Sequence, residues 1–301
     1  MDSHGCRDSP DGPLGERPEV LTSAEPTCGR MRGVDLELTG CVALVTGGSR
    51  GLGLAIAHRL HDEGATVHLC GRDAAVGRAA LDELGDRAGW STCDVTDDAA
   101  VRATVADVLD RHGRLDVVVN NAGRFGGGPL HEIDDAGWRD GFDTKVLGAT
   151  HTVRHARDAL LASGRGRIVN ISGVTAALAV PNVAVTGVAN AALIALTAYQ
   201  AQDLRAHGGT ANCVVPGYTT SGVWQDRIDA RAAADGTDEP TARAAILAER
   251  GFGAGARWGS PDELAAVVTF LASGPASYVS GATLRVDGAQ DRKSTRLNSS
   301  H

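Results

Sequence analysis

Short apolar runs alternate with segments of helical periodicity along the middle of the chain. The runs are continuously apolar, as strands buried on both faces of a sheet are, and the segments between them are long enough for helices. They predict strands at 41–46, 66–70, a run that ends at 93–94, 115–119, 167–171, 211–215 and 283–286. Strands and helices that alternate in this way form βαβ units. We therefore expect a single doubly wound α/β domain of about seven parallel strands with helices on both faces.

The helical segments are marked by their apolar period and, in one place, by a clear start signal. They predict a helix through His58 and Leu60, and further helices at 73–84, 97–112, about 138–161, 183–207 and near 242–249. Ser260 and Pro261, with acids after them, predict a helix start that has serine as the N-cap and proline at the first helical position. No repeat of solenoid length is present, so one domain accounts for the pattern.

Composition is that of a soluble globular protein. The 301 residues are 43% hydrophobic, and no apolar stretch approaches the run that spans a bilayer. The formal net charge of −8 argues against a nucleic-acid or anionic-membrane partner. Cys41, Cys70, Cys93 and Cys213 lie in or beside predicted strands, without the CxxC spacing of zinc or redox sites. We expect a cytoplasmic protein that binds no metal and in which these cysteines are small buried hydrophobes.

Both ends of the chain differ from the middle. Residues 1–33 are rich in proline, glycine and charge without an apolar period, which is typical of a disordered leader. The alternative is that translation starts at Met31, in which case the leader results from a miscalled start codon. Residues 291–301 resemble the translation of a sequencing-library adapter, so we exclude them as an artefact. The predicted domain therefore covers 34–290.

A glycine-rich turn joins the first predicted strand to the first predicted helix. Its sequence is Thr46-Gly47-Gly48-Ser49-Arg50-Gly51-Leu52-Gly53. Glycines at such a place let the backbone turn tightly and approach a pyrophosphate, which is then bound by N–H groups at the start of the helix. Because the turn ends a buried strand, opens a helix and is followed by a second βα unit, it predicts a dinucleotide site.

This turn and later motifs of the chain resemble those of the short-chain dehydrogenase/reductase family. The later motifs are Asp94-Val95, Asn120-Asn121-Ala122-Gly123, Pro216-Gly217 and Val286-Asp287-Gly288. The resemblance extends from about residue 34 to residue 288 and implies a Rossmann-type fold. It also implies that the cofactor is bound by Gly47, Ser49, Arg50, Gly51, Leu52, Gly53, Arg72, Asp94, Val95, Asn121, Pro216, Gly217 and Thr219.

The residues after the second strand favour NADP(H) over NAD(H). A ribose-binding acid is expected about twenty residues past the glycines, and Asp73 fits that count. The strand ends at Cys70, however, and the resemblance implies that an NAD-selecting acid would stand at Gly71. Arg72 and Arg50 resemble the basic pair that holds a 2′-phosphate through bidentate hydrogen bonds. We therefore expect NADP(H).

All four positions that carry out catalysis in the family are altered. The resemblance implies carbonyl–alcohol redox with Asn, Ser, Tyr and Lys, in which the tyrosine exchanges a proton while hydride moves to or from nicotinamide. Counted from neighbouring motifs, Lys145 stands at the Asn position, Gly173 at the Ser position, Thr186 at the Tyr position and Asn190 at the Lys position. A threonine hydroxyl is a far weaker acid than a phenol, whose ordinary pKa is about 10. We expect the usual mechanism to be lost.

Two side chains are candidates for a replacement proton donor. Lys145 is the only lysine before residue 291. A desolvated amine near the nicotinamide can act as an acid or orient an anionic substrate, whereas the alternative is a helix lysine turned to solvent. Tyr218 directly follows Pro216-Gly217, and its alternative role is to cover the pocket as a loop aromatic.

Two functions are compatible with these residues. The first is an NADP(H)-dependent oxidoreductase with a rearranged active site, which the complete nucleotide motif supports. The second is a noncatalytic NADP(H)-binding protein, a partner subunit or redox-responsive regulator, which the four replaced positions support. Residues 218–258 resemble the family's substrate lid at a length that suits a bulky substrate, and 124–128 are similar to bacterial aromatic-polyketide ketoreductases. The family resemblance also implies a homodimer or homotetramer packed through the helices around Lys145 and Ala195.

Overall fold

The computed structural model describes residues 34–124, 126–250 and 256–290 of the chain. The density of contacts separates Met1–Asp35 from the unit that begins at Leu36, and the fold below is that of the second unit. The leader expected at 1–33 and the adapter-like tail at 291–301 lie outside the described residues, so both stay predictions.

The strands of the described residues form one parallel sheet. They are β1 (Val42–Thr46), β2 (Thr66–Gly71), β3 (Ala88–Thr92), β4 (Val117–Asn120), β5 (Arg167–Ile171), β6 (Thr210–Pro216) and β7 (Thr283–Val286). Their order across the sheet is β3-β2-β1-β4-β5-β6-β7. The chain therefore builds outward from β1 to β3 and then crosses back to β4. This reversal creates a crevice at the carboxyl ends of β1 and β4, where ligands bind in such sheets.

Helices cover both faces of the sheet. They are α1 (Gly51–Asp62), α2 (Ala74–Leu84), α3 (Asp98–His112), α4 (Asp135–Phe142), α5 (Gly148–Ala162), α6 (Ala184–Leu204), α7 (Val223–Asp235), α8 (Glu239–Glu249) and α9 (Pro261–Ala272). Successive residues of a strand point to opposite faces: Val45 belongs to the apolar cluster beneath α1 and α9, whereas Leu44 belongs to the cluster beneath α3 and α5. The doubly wound α/β fold predicted from the sequence is confirmed.

Helix starts follow the local chemistry of the sequence. Asp73 accepts hydrogen bonds from two backbone N–H groups at the start of α2, and Asp97 does the same for α3. Ser260 caps α9, and Glu263 completes a capping box with it. The start signal at Ser260 and Pro261 is therefore confirmed.

The long helix expected at about 138–161 is confirmed, but it contains a wider π-helical turn at Asp143–Leu147 between α4 and α5 that the sequence did not indicate. A tertiary contact accompanies this turn, because a Cβ on Gly148 would lie 2.7 Å from Cγ2 of Val95, so only glycine lets the backbone approach there. Turns of this kind are frequent at functional sites, and Lys145 lies within this one.

The segment 218–258 contains more helix than the sequence indicated. Only a helix near 242–249 was expected, whereas the structure has both α7 and α8 there. Two smaller differences are at element ends. The third strand ends at Thr92 and not at 93–94, and α6 ends at Leu204, with a 3-10 turn completing the segment expected to be helical.

One expectation about membranes needs correction. Residues 184–207 are long and apolar enough, by length and composition only, to cross a bilayer. A core helix of a soluble protein passes the same test, and α6 buries Ala189, Leu193 and Leu204 inside the domain. The segment is therefore accounted for by its packing in the fold. The four cysteines expected to be buried, Cys41, Cys70, Cys93 and Cys213, are buried and free.

Candidate active site

A cavity of about 750 Å³ opens at the carboxyl ends of the neighbouring strands β1 and β4, from which the chain continues toward opposite faces of the sheet. It extends from the glycine-rich turn, across the loop after β4, to the loop after β6 and the start of α7. Every residue that the sequence predicted for cofactor binding or catalysis lines this cavity. The fold therefore brings together side chains that are up to about 170 residues apart in the chain.

The glycine-rich turn is shaped for close backbone contacts. Gly47 has a φ of 62°, in the left-handed region that favours glycine. A Cβ on Gly53 would lie 2.2 Å from the carbonyl oxygen of Gly47 and 2.5 Å from Nδ2 of Asn121, so no side chain fits there. That Nδ2 donates to the carbonyl oxygens of Thr46 and Gly47, both at 3.0 Å. Asn121, expected at the cofactor ribose, thus also fastens the turn to the loop after β4.

The cationic end of the cavity is formed by Arg50 of the glycine-rich turn and Arg72 after β2, and Asp73 and Asp94 also line it. Oδ1 of Asp73 accepts hydrogen bonds from two backbone N–H groups at the start of α2, so this carboxylate acts as a helix cap. Arg50 and Arg72 are exposed, and neither side chain forms a hydrogen bond or ion pair with another residue that the structure describes. The backbone N–H of Thr96 is the main cause that holds the pKa of Asp94 below its usual value, and Arg72 contributes to it. Gly71, between β2 and Arg72, has no side chain. Guanidinium groups with unfilled donors suit a phosphate.

The hydroxyl of Thr186, which was expected at the family's tyrosine position, is hydrogen-bonded inside the protein both as donor and as acceptor. Its Oγ1 accepts a hydrogen bond from the backbone N–H of Gly126 at 3.1 Å and donates to the carbonyl oxygen of the same residue at 3.0 Å. The side chain is 9% exposed. Thr186 therefore clamps the loop after β4 onto α6 and has no proton to offer a substrate without breaking that clamp.

Gly173 and Asn190, at the serine and lysine positions, depend on each other. A Cβ on Gly173 would lie 2.8 Å from Nδ2 of Asn190, so the amide occupies the space in which a serine would begin. Nδ2 donates to Oγ1 of Thr175 at 2.9 Å. Oδ1 of Asn190 is buried and has no hydrogen-bond partner among the described residues. This acceptor can take a hydrogen bond from a hydroxyl bound in the cavity.

Lys145 points into the cavity and not into solvent. Its Nζ lies over Gly123, where a Cβ would be 2.9 Å away, and the side chain is partly buried. Burial lowers the pKa of the Lys145 amine to about 8, and the nearby Cys213 opposes that shift only weakly. Among the described residues, Nζ has no hydrogen-bond or ion-pair partner. An amine of this kind is an acid near neutral pH.

Tyr218 belongs to an aromatic cluster at the end of the cavity that is formed by the loop after β6 and the start of α7. Its ring centroid is 4.6 Å from that of Trp224 and 5.6 Å from that of Trp258. Burial raises the pKa of Tyr218, which makes its hydroxyl a weaker acid than an ordinary phenol. Cζ of Arg227 lies 5.1 Å from the Trp224 centroid. The covering role for Tyr218 is thus better supported than the role of proton donor.

Sequence reasoning missed several residues around the cavity. Trp224 and Arg227 both line it from α7, a helix the pattern did not predict. Gln290 accepts a hydrogen bond from the backbone N–H of Tyr218 at 2.8 Å and so holds the loop after β6. Thr219, expected at the cofactor, is 6% exposed and hydrogen-bonds Ser221 at 3.1 Å. The three-residue spacing of Trp224 and Arg227 was the one signal in the sequence that could have indicated a shared face of the helix α7.

A family model described as Enoyl-(Acyl carrier protein) reductase matches residues 47–289. L-fucose dehydrogenase of Oryctolagus cuniculus is 38% identical over 257 residues, which are 84% of this chain and 85% of that protein. The crystal structure of actinorhodin polyketide ketoreductase with NADPH is 33% identical, with a TM-score of 0.76 over 84% of this chain and 97% of the other. L-sorbose reductase from Gluconobacter frateurii, complexed with NADPH and L-sorbose, is 28% identical, with a TM-score of 0.79 over 85% and 98%.

Proposed function

The chain belongs to the short-chain dehydrogenase/reductase family, and we propose that it is an NADP(H)-dependent oxidoreductase that interconverts a carbonyl and an alcohol with Lys145 as the proton donor. The observation that carries this proposal is the position of the Lys145 amine. It lies in the same cavity as the glycine-rich turn, and burial brings its pKa to about 8. The active site is thus rearranged, with the acid on the π-helical turn before α5 and not on α6.

The cofactor assignment rests on the shape and charge of the cavity. Reduction of a carbonyl adds a hydride to carbon and a proton to oxygen, and the hydride is what a nicotinamide cofactor supplies when bound. Gly47 and Gly53 leave room for a pyrophosphate against the backbone. Arg50 and Arg72 would hold a 2′-phosphate, and the two structural neighbours described above were both crystallised with NADPH. These observations support NADP(H) over NAD(H).

Proton transfer from Lys145 needs no help from the altered family positions. At pH 7 an amine with a pKa of about 8 is about nine-tenths protonated, and it can pass a proton to the oxygen that gains negative charge. A positioned general acid contributes about 10²–10⁴ in rate. Asn190 supplies a buried acceptor, Oδ1, that can orient a hydroxyl of a ligand. The Thr186 hydroxyl is hydrogen-bonded to the backbone of Gly126 and takes no part in this proton transfer.

The alternative is a noncatalytic NADP(H)-binding protein that acts as a partner subunit or redox-responsive regulator. Two observations favour this noncatalytic function: the Thr186 hydroxyl is already hydrogen-bonded to Gly126, and Gly173 has no hydroxyl at all. Both functions need the nucleotide, and only the first needs turnover. They are therefore separable by measuring the two properties on one preparation.

The test is a titration with NADPH and NADH, followed by NADPH oxidation with a panel of ketones and quinones. Tight NADPH binding with turnover that is lost in Lys145→Met supports the enzyme. Binding without turnover on a broad panel supports the regulator. No binding of either nucleotide would overturn both functions. Bulky ketones belong in the panel because residues 218–258, with α7 and α8, offer a large lid.

We also expect a homodimer or homotetramer packed through α5 and α6. Leu147, Val188 and Tyr199 on and beside these helices are 44%, 47% and 76% exposed, and packing of two copies through α5 and α6 would cover them. Light scattering of the purified protein measures the assembly. Cytoplasmic location and the absence of nucleic-acid or membrane partners stay predictions from composition.

A further inference from the structure

The indole of Trp90 packs against two glycines at the cationic end of the cavity. Trp90 lies on β3 beside Leu69 of β2. A Cβ on Gly77 would lie 2.2 Å from Cε2 of the indole, and a Cβ on Gly71 would lie 2.9 Å from Cη2. Both glycines have a negative φ, so space and not backbone conformation excludes a side chain at each. The ring therefore fills the volume between the end of β2 and the first turns of α2.

Asp73, which the spacing also allows as the ribose-binding acid, caps α2 through its Oδ1. The family resemblance implies that an NAD-selecting acid would stand instead at Gly71. It is the last residue of β2, it lines the cavity, and its missing Cβ would be 3.7 Å from Oγ of Ser49 in the glycine-rich turn. In dinucleotide-binding folds, an acidic side chain in this region hydrogen-bonds the ribose hydroxyls of NAD. Here the first atom of any such side chain collides with Cη2 of Trp90.

The indole cannot easily move aside. Withdrawal toward α2 is blocked because the ring already lies on the backbone of Gly77, where even a methyl group would overlap it. Its Nε1 donates to Oγ1 of Thr92 at 3.3 Å, which fixes the ring edge. Trp90 is partly buried and packs against the apolar cluster beneath α1 and α9. Displacing an indole held by these contacts costs stability.

We propose that Trp90 is a specificity-determining residue for the cofactor, because it closes position 71 to an acidic side chain and leaves the ribose end to Arg50 and Arg72. This inference rests on the proposed function, since it presumes that the cavity takes NADP(H). The inference adds that the preference for NADP(H) over NAD(H) is set by Trp90, which packs against Gly71 but does not itself line the cavity. Cofactor exchange then requires a change at position 90 before any acid at position 71 can act.

The experiment measures dissociation constants for NADPH and NADH, by the fluorescence of the bound reduced nicotinamide, in four variants of the full chain. These are Gly71→Asp, Trp90→Val, the acidic double variant (Gly71→Asp with Trp90→Val), and the uncharged double variant (Gly71→Ala with Trp90→Val) as the control. Valine keeps the strand propensity of β3. Melting temperatures are recorded for each protein.

Gly71→Asp alone is expected to lower the melting temperature and to leave NADH affinity within threefold of the wild type, by the steric argument above. The acidic double variant is expected to bind NADH at least tenfold more tightly, and NADPH at least tenfold more weakly, than the uncharged double variant. If Gly71→Asp does not fold, the comparison of the two double variants still shows whether an acid at position 71 changes the cofactor preference once Trp90 is replaced.

Two results would overturn the inference. One is a stable Gly71→Asp that gains NADH affinity with Trp90 in place. The other is an acidic double variant that gains none or does not fold. A wild-type protein that binds neither nucleotide would instead overturn the proposed function, so the two failures are distinguishable.

Discussion

Replacing Lys145 by methionine removes the proposed proton donor and keeps a flexible side chain in the cavity. A general acid contributes about 10²–10⁴ in rate, so we expect kcat for carbonyl reduction to fall by about that factor. The dissociation constant for NADPH should stay unchanged, because Arg50 and Arg72, the residues expected at the 2′-phosphate, are left in place. Lys145→Arg keeps the charge, but a guanidinium stays protonated throughout this pH range and cannot donate a proton.

The pH dependence follows from the lowered pKa of the Lys145 amine. With a pKa of about 8, the protonated form outnumbers the neutral form by about ten to one at pH 7, and the ratio is inverted at about pH 9. Reduction needs the protonated form, so its kcat/KM should be level below pH 8 and fall about tenfold per pH unit above it. Alcohol oxidation needs the neutral amine and should rise with pH to a plateau above about 8.

The assay follows NADPH absorbance with the best ketone of the panel over a pH series. The matched control is Arg102→Met, because Arg102 is an exposed cation on α3 that does not line the cavity. It should retain the wild-type rate and the break near pH 8. If Lys145→Met keeps the wild-type kcat and pH profile, Lys145 is not the proton donor and the proposed mechanism is refuted.

Three further predictions concern protein stability and the side chains around the cavity. Gly173→Ser should cost about 1–3 kcal/mol of unfolding free energy in urea, and less in an Asn190→Ala background; equal costs would contradict the overlap of the two sites. Thr186→Val should cost about 1–3 kcal/mol for its two bonds to Gly126, and an unchanged urea midpoint would contradict the clamp. Because the folded pKa of Lys145 is about 8 against 10.5 when unfolded, the unfolded chain binds more protons between those pH values, so stability should rise with pH there. That rise should be smaller in Lys145→Met.

Local chemistry made much of the fold predictable. The strands at 167–171 and 283–286 lie where expected, because a continuously apolar run flanked by helices has few alternatives to a buried parallel strand. The caps of α2, α3 and α9 use Asp73, Asp97 and Ser260, whose side chains bond backbone groups two or three residues away. Interactions of such short range are visible in the order of residues alone.

The structure differs from the sequence prediction where contacts between distant segments decide the local structure. The π-helical turn between α4 and α5 coincides with the contact of Gly148 with Val95, about fifty residues earlier. The helix α7 lacks a clear apolar period, and its Trp224 packs against Tyr218 and Trp258 in a cluster that forms only in the folded chain. Periodicity does not report such contacts.

Residue types at short spacing were enough to predict the doubly wound sheet and the glycine-rich turn, and the family resemblance supplied the expected occupants of the catalytic positions. What those residues can do depends on the folded chain. Folding turned Lys145 inward and lowered its pKa by burial. It bound the Thr186 hydroxyl to Gly126, which is 60 positions away, and it laid Trp90 over Gly71. Proton affinity, hydrogen-bond availability and free volume are properties of a side chain's surroundings, and those surroundings exist only once the chain has folded.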